Sequence, residues 1–498
     1  MLVDRRAWVH TGVHPPPCWS REKVNGVAMD MIENPTFIEN RTFEEIKVGD
    51  SASLVRKLSR EDIELFAVMS GDVNPAHVDE EYARSDMFHK IIAHGMWGAS
   101  LISTVLGTTL PGPGAIYLGQ TLHFRHPVTV GDTITVTVTV TGKQTDGQRV
   151  SFDCECTNQR GQVVISGSAE VIAPTTKVRR PRVTLPEVHL HDQGAWYRHL
   201  LELTKGLPPI RTAVIHPVDE NALLGAIEAA EAKLIIPVLV GPQKKIEAVA
   251  AAQKVDLSPY RVIATEHSHA AAEQAVALAR AGEVEALMKG SLHTDEFMHA
   301  VLAPRIGLAT GRRMSHVFVL DVPTYPRLLF LTDAALNIYP DLEAKRDIVQ
   351  NAIKLAHVLG IEVPKVAILS AVETVSPQIH STLEAAALCK MAERGQITGG
   401  LVDGPLAFDN AVSPEAARTK GIVSAVAGQA DILVVPDLES GNMLTKQLEY
   451  LAEAQAAGIV LGARVPIVLT SRADSPLAHM ASCALALLVA HSKRKAKP

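Results

Sequence analysis

Residues 132–141 read Asp-Thr-Ile-Thr-Val-Thr-Val-Thr-Val-Thr. The alternation places Ile134, Val136, Val138 and Val140 on one face and the threonines on the other, the pattern of a half-buried strand. Residues 118–125 before it and 150–157 and 163–172 after it also read as strands, with Thr145-Asp146-Gly147-Gln148 as a hairpin turn. Pro111-Gly112-Pro113-Gly114 separates this β set from residues 93–110, a run of small and apolar residues that includes Trp97, Ile102, Val105 and Leu106. That run is nearly apolar all round, so it is expected to be a buried helix. Further upstream, residues 51–58 read as a strand, and Ser59 with Asp62 three positions on reads as the start of a short helix ending near Met69. A buried helix wrapped by an antiparallel sheet follows, an α+β unit.

That short helix leads into Ser70-Gly71-Asp72-Val73-Asn74-Pro75-Ala76-His77. Gly71 and Asn74-Pro75 favour a bend, across which the Asp72 carboxylate and the His77 imidazole can converge on one water. Phe66, the SGD-x-NP-x-H string and Tyr82-Ala83 together resemble the signature of the MaoC-like (R)-specific enoyl-CoA hydratases, with the likeness assigned to residues 35–173. The resemblance implies a hot-dog fold, with Asp72 and His77 as the catalytic pair holding the water that adds across a 2-enoyl-CoA double bond. It also implies that the Gly95 N–H of His94-Gly95-Met96 polarises the thioester carbonyl. Asn74 and Ser103 join the implied substrate-binding set, although a helix serine such as Ser103 can equally bond its own backbone.

Residues 174–194 read as a solvated, semi-rigid linker with Pro174, Pro181 and Pro186 among Lys177, Arg179, Arg180 and Arg182. Beyond residue 209 the period changes. Short β-like runs at 212–215, 235–240, 284–288, 317–322, 328–331, 366–369, 432–435 and 467–470 alternate with alanine-rich helical stretches. Parallel sheets covered by helices are expected, an α/β region. Neither a GxxxxGK[ST] nor a GxGxxG string occurs.

Ligands of such sheets sit at the carboxyl ends of strands, so the informative residues follow the strands. These are Lys289-Gly290-Ser291-Leu292-His293-Thr294, Asp333 with Asn337, the 436–442 run ending in Asn442, and Ser471-Arg472. With the 403–411 run, this set resembles the phosphate acetyl/butyryltransferase family over residues 195–498, which implies a two-lobed domain that exchanges an acyl group between coenzyme A and phosphate. Arg472 would hold a phosphoryl oxygen bidentately and Ser471 would donate to it. Ser291 and Thr294 match residues near the family's phosphate-binding loop, and Lys289, Asn337 and Asn442 complete the implied binding set. A carboxylate base is expected after the Ser-Arg pair, where this chain has Ala478, and the nearby carboxylate is Asp474. The region therefore reads as a transferase with Asp474 as base, or as a transferase-like binding or assembly module; Ser471-Arg472 could also simply cap the following helix.

With 498 residues the chain is long enough for two to four domains. Hydrophobic residues make up 47% and charged residues 20%, with net charge −6, so no global basic field points to nucleic acid. The five cysteines form no CxxC pair, which fits a reducing, cytoplasmic setting and no metal site. Cys154 and Cys156 are two apart in a strand and are expected to pack on one side. No apolar run reaches a membrane-spanning length. Residues 1–34, with Pro15-Pro16-Pro17, read as a disordered extension that leaves Met29 or Met31 as an equally good start. No bound cofactor is expected; acyl-CoA, acyl phosphate and phosphate are the implied small-molecule partners. Long strand edges and both resemblances imply a homo-oligomer of even order.

Overall fold

The alternating stretch folds as a long strand in the first of two units, which divide the chain at residues 190 and 191. The computed structural model describes residues 36–185, 188, 190, 194–469 and 476–495. The expected amino-terminal extension lies outside the described residues, as do Ser471, Arg472 and Asp474.

The first unit contains strands β1 (Phe37–Glu39), β2 (Ser51–Lys57), β3 (Ile116–Phe124), β4 (Thr133–Gln144), β5 (Arg149–Thr157), β6 (Val163–Ile172) and β7 (Arg179–Pro181). Five of them form an antiparallel sheet in the order β2-β4-β5-β6-β3. Ile134, Val136, Val138 and Val140 of β4 are all buried, whereas Thr137 turns outward and its hydroxyl meets Ser53 Oγ at 3.1 Å. The buried face receives Trp97, Ile102, Val105 and Leu106 of helix Gly95–Thr108, the hot-dog arrangement. This helix is not buried all round as its composition suggested. Ser103, Thr104 and Gly107 are exposed and Met96 is 57% exposed, because one sheet covers only one side of it. Cys154 and Cys156 lie in the same core, where burial pushes each thiol up to about 12.

Helix Arg60–Ser70 starts with the expected box. Ser59 Oγ accepts from the Asp62 N–H at 3.1 Å and the Ser59 N–H donates to the Asp62 carboxylate at 2.9 Å, so two otherwise unpaired end groups are satisfied. The start of the expected linker is built into this unit instead of running free. β7 pairs with β1, Ile38 opposite Arg180, while Asn40 bonds Thr176 O and the Val178 N–H, each at 2.9 Å. Pro181 is tolerated because this two-stranded pair is all edge.

The second unit holds β8 (Ile210–Ile215), β9 (Ile235–Gly241), β10 (Arg261–Ala264), β11 (Ala286–Lys289), β12 (Ser315–Asp321), β13 (Leu329–Thr332), β14 (Lys365–Leu369), β15 (Leu401–Leu406), β16 (Ile432–Val434), β17 (Gln455–Leu461) and β18 (Ile467–Val468). They form one sheet, in the order β10-β9-β8-β11-β18-β17-β12-β13-β16-β14-β15. The strands from β10 to β18 run parallel, as do those from β13 to β15, and antiparallel β17 and β12 join the two blocks. Strands β10, β15 and β17 were not anticipated. Gly404 and Pro405 disguise β15, which tolerates proline because it ends the sheet. Residues 481–490, an apolar run, belong to helix Pro476–Lys495, whose Cys483, Ala484, Leu485 and Leu487 are buried in the core. Among the described residues, no helix is long and apolar enough to cross a membrane.

Close strand packing makes one glycine test specific. A Cβ at Gly167 would lie 1.9 Å from Thr121 O, whereas at Gly142 it would meet nothing nearer than 3.9 Å. Gly167→Ala is expected to destabilise by about 1–3 kcal/mol as an overpacked site, with Gly142→Ala within about 0.5 kcal/mol of the parent, as denaturant midpoints will read.

Candidate functional site

In the first unit, Gly71 closes helix Arg60–Ser70 in the left-handed region at φ 76°, and the chain turns at once. The Asp72 carboxylate accepts the Asn74 N–H at 3.2 Å, and Asn74 Oδ1 accepts the Ala76 N–H at 3.2 Å. Asn74 thus caps the one-turn helix Pro75–Val78, and its carbonyl oxygen is engaged there. His77 sits on that turn with Nδ1 2.9 Å from Ile92 O. A carbonyl can only accept, so Nδ1 carries the proton and the Nε2 lone pair is left to act as a base.

A third residue joins the pair. His94 is buried, and its Nε2 donates to the backbone oxygen of Asp72 at 3.0 Å. Its ring packs against His77 at 4.0 Å and against Phe66 at 4.9 Å between centroids. One donor atom each of Asp72, His77 and His94 lies within 4.8 Å of the others, a set that suits proton transfer and also a transition-metal ion. Sequence reasoning named His94 only as a neighbour of Gly95. Its signal was its position next to a helix start.

His77, His94, Gly95, Met96, Trp97 and Phe124 help to line a cavity of about 540 Å³. Gly95 is the first residue of its helix, where N–H groups lack intrahelical partners, and a Cβ there would come within 2.9 Å of the Phe124 ring. Ser103 lies on the exposed face of the same helix and is not part of the cavity lining.

In the second unit, β8 and β11 lie side by side and their carboxyl ends make the first candidate loop. The Gly290 N–H donates to Ile215 O at 3.0 Å and the Ser291 N–H to His216 O at 2.9 Å. A Cβ on Gly290 would lie 2.4 Å from Ile215 O, so only glycine fits this turn. Ser291 Oγ donates to the Asp219 carboxylate, which also caps helix Glu220–Glu231 through the Ala222 N–H at 2.8 Å. Lys289 is buried beside them, and half-buried Thr294 begins helix Thr294–Leu302. His479 packs on Gly225 near Asp219 and Lys289. Asp219 and His479 were missed, although an Asp just after strand β8 and before an alanine-rich helix is a readable cap.

The second loop follows β13. The Asp333 carboxylate accepts the N–H groups of His316, Ala335 and Leu336 at 3.2, 2.9 and 3.0 Å, and Asn337 Nδ2 at 2.5 Å. Asn337 is buried and also engaged with Arg313 Nε at 2.7 Å, so it braces the loop. Exposed Asn442 reaches the same loop at Ala334 O, 3.4 Å away. His316 Nε2 lies 3.4 Å from Leu469 O, next to the segment that carries Ser471 and Arg472.

Comparison with known proteins places both halves. Residues 44–158 match the model of the MaoC like domain, and residues 262–487 match that of the phosphate acetyl/butaryl transferase family. A phosphate acetyltransferase of Rhizobium meliloti is 62% identical over 305 residues, 61% of this chain and 96% of that protein. The chain belongs to the phosphate acetyl/butaryl transferase family. It is a fusion, with a MaoC-like hydratase domain ahead of a phosphate acetyltransferase domain. A phosphate butyryltransferase of Clostridium beijerinckii is 43% identical over 59% of this chain and 97% of its own length. A branched-chain phosphotransacylase structure from Enterococcus faecalis V583 shares 29% identity over 57% of this chain and 99% of its own, with TM-score 0.51. An unliganded R-hydratase from Pseudomonas aeruginosa is 40% identical over 31% of this chain and 99% of its own, with TM-score 0.30.

Burial holds both His479 and His316 below the ordinary histidine value of 6.5; Lys289 adds to the effect at His479, and Asp219 and Asp333 oppose it at their respective neighbours. The unfolded chain then binds protons first as pH falls, so this stability is full above 6.5 and lost through the lower folded values. Denaturant midpoints of the transferase domain should therefore fall on mild acidification, less steeply in His479→Gln.

Proposed function

We propose that the chain acts twice on acyl-CoA, hydrating 2-enoyl-CoA to (R)-3-hydroxyacyl-CoA and exchanging acyl groups between coenzyme A and phosphate. The observation that carries the first activity is the convergence of Asp72 and His77 beside the cavity that Gly95 helps to line. The two side chains hold one water. As its oxygen bonds C3 of the enoyl thioester, His77 Nε2 takes a proton, and the dyad returns one proton to C2. Charge that develops on the thioester oxygen is met by the Gly95 N–H at the helix start. An apolar wall of Trp97, Phe124 and Ile165 suits the acyl chain.

For the second activity the coenzyme A thiol loses its proton, its sulfur attacks the acyl-phosphate carbonyl, and phosphate leaves with the electrons of the broken C–O bond. Arg472 and Ser471 receive the phosphoryl oxygens, Asp474 is the base, and Lys289, Ser291 and Thr294 supply the neighbouring anion-binding loop, with Asn337 bracing the opposite one. The relation to the Rhizobium phosphate acetyltransferase supports this reading. Ala478, standing where a carboxylate is expected, favours a second reading in which this domain mainly binds or assembles. A homo-oligomer of even order would cover the exposed Ile116 and Leu118 of β3 and the bare face of helix Gly95–Thr108. A cytoplasmic location fits Cys154, Cys156, Cys389 and Cys483, the cysteines among the described residues, which are all unpaired.

Short- and medium-chain 2-enoyl-CoA and acyl-CoA substrates, assayed separately for hydration and for phosphate-dependent transfer, test the pair of activities. Asp72→Asn and His77→Gln should each lower hydration by about 10²-fold or more and leave transfer intact. Arg472→Lys keeps the charge but loses the planar fork, so transfer should fall strongly with hydration unchanged. Hydration by both dyad variants at the parent rate would refute the first assignment, and an equal loss of both activities in Arg472→Lys the second.

A further inference from the structure

His94 is buried in the first unit at 3% exposure, and the proposed hydration gives it no part. Its Nε2 donates to the backbone oxygen of Asp72 at 3.0 Å, so its lone pair is on Nδ1. That Nδ1 is buried and has no hydrogen-bond partner among the described residues. His94 also stands at the N-cap of helix Gly95–Thr108, yet its side chain makes no cap bond there. A buried acceptor without a donor is costly, and a water held between Asp72 and His77 does not need it.

The neighbours of His94 carry open lone pairs too. His77 donates from Nδ1 to Ile92 O at 2.9 Å, which leaves its Nε2 free. Each imidazole thus has one N–H fixed on a backbone carbonyl, the arrangement that sets the tautomer and direction of metal-ligating histidines. The two rings lie 4.0 Å apart between centroids, and exposed Asp72 adds a carboxylate that spends one oxygen on the Asn74 N–H. One donor atom of each residue lies within 4.8 Å of the others. Zinc bonds of about 2.0–2.1 Å in a tetrahedron hold their ligands about 3.4 Å apart, so closure asks for about an ångström of movement, which the exposed turn of Asp72 can supply. The start of helix Gly95–Thr108 carries partial positive charge, which the carboxylate offsets. The expectation of no metal site rests on the cysteines, and this set contains none.

We infer that Asp72, His77 and His94 form a site for a divalent transition-metal ion of the zinc type, whose binding blocks hydration. Two imidazoles and one carboxylate suit zinc, whereas calcium and magnesium prefer oxygen ligands throughout. The ion satisfies the orphaned buried nitrogen and takes the Nε2 lone pair of His77, so ion and activated water exclude one another. This block rests on the proposed base role of His77, whereas the binding itself does not.

Calorimetric titration of the full chain with Zn²⁺ after stripping with EDTA tests the inference, with Co²⁺ as a second probe whose visible ligand-field bands report nitrogen and oxygen ligation. The parent chain is expected to bind Zn²⁺ and to lose hydration in proportion to occupancy, with EDTA restoring it and phosphate-dependent transfer unchanged. His94→Gln and Asp72→Asn should each weaken Zn²⁺ by about a hundredfold, since even the partners of metal ligands are worth about 10–100-fold. His126→Gln, a change to another imidazole that lines the cavity, should keep the parent affinity. Should His94→Gln fold poorly, Asp72→Asn carries the test from an exposed position. Absence of Zn²⁺ binding at submillimolar concentration, affinity indifferent to both substitutions, full hydration with the ion bound, or equal loss of hydration and transfer would each overturn the inference. A chain that binds Zn²⁺ through these residues but never hydrates 2-enoyl-CoA would confirm the metal site and overturn the proposed hydration.

Discussion

The antiparallel pairing of β12 with β17 is the constraint on which the larger domain depends. Seven residue pairs, from Ser315 opposite Leu461 to Asp321 opposite Gln455, join two parallel blocks and set them in opposite directions. Their ligand-side loops consequently emerge at opposite edges of one sheet. Gly458 lies in this seam, where a Cβ would come within 2.8 Å of His316 Nε2 and 2.9 Å of Leu469 O. The missing side chain lets the imidazole on β12 reach past β17 to the carbonyl just beyond β18. Through the His316 N–H, the same residue is tied to the Asp333 carboxylate. The loop after β13 and the segment leading to Ser471 are therefore braced by one buried histidine. Burial of that ring keeps it neutral, which suits a fixed hydrogen-bonding post better than a proton carrier.

The smaller domain solves a different problem. The base role proposed for His77 needs an open lone pair held in one direction, and the Ile92 carbonyl provides this by accepting a hydrogen bond from the Nδ1–H of His77. His94 then binds the Asp72 backbone oxygen from the other side, so the turn between Gly71 and His77 is held by side chains as well as by its own hydrogen bonds. The cost is an exposed helix face and a sheet edge with apolar side chains in water.

Much of this was legible in the linear chain. The threonine–valine alternation of β4, the Ser59–Asp62 box and the strand-to-loop positions of Lys289, Ser291 and Asp333 are local patterns, and local patterns survive translation into structure. Three things were not legible. The role of His94 depends on a contact between residues 22 apart in sequence, which no spacing rule encodes. β15 carries a glycine and a proline, and β17 a glycine after two alanines, where propensity opposes a strand, and the sheet around them overrides that preference. The segment after residue 173 has the composition of a linker, yet β1 offers it an edge to pair with.

The sequence by itself determined the two-part organisation, the α+β and α/β classes and the Asp72–His77 pair, because each rests on periodicity or on residues a few positions apart. Only the tertiary structure decided which histidine nitrogen is free, that Asp219 and His479 stand beside Lys289, that Asn337 braces its loop from a buried position, and that His94 brings a second imidazole to Asp72 and His77. Each of these is set by packing between segments far apart in the chain, where burial and the direction of a carbonyl or a like charge fix the chemistry of a side chain.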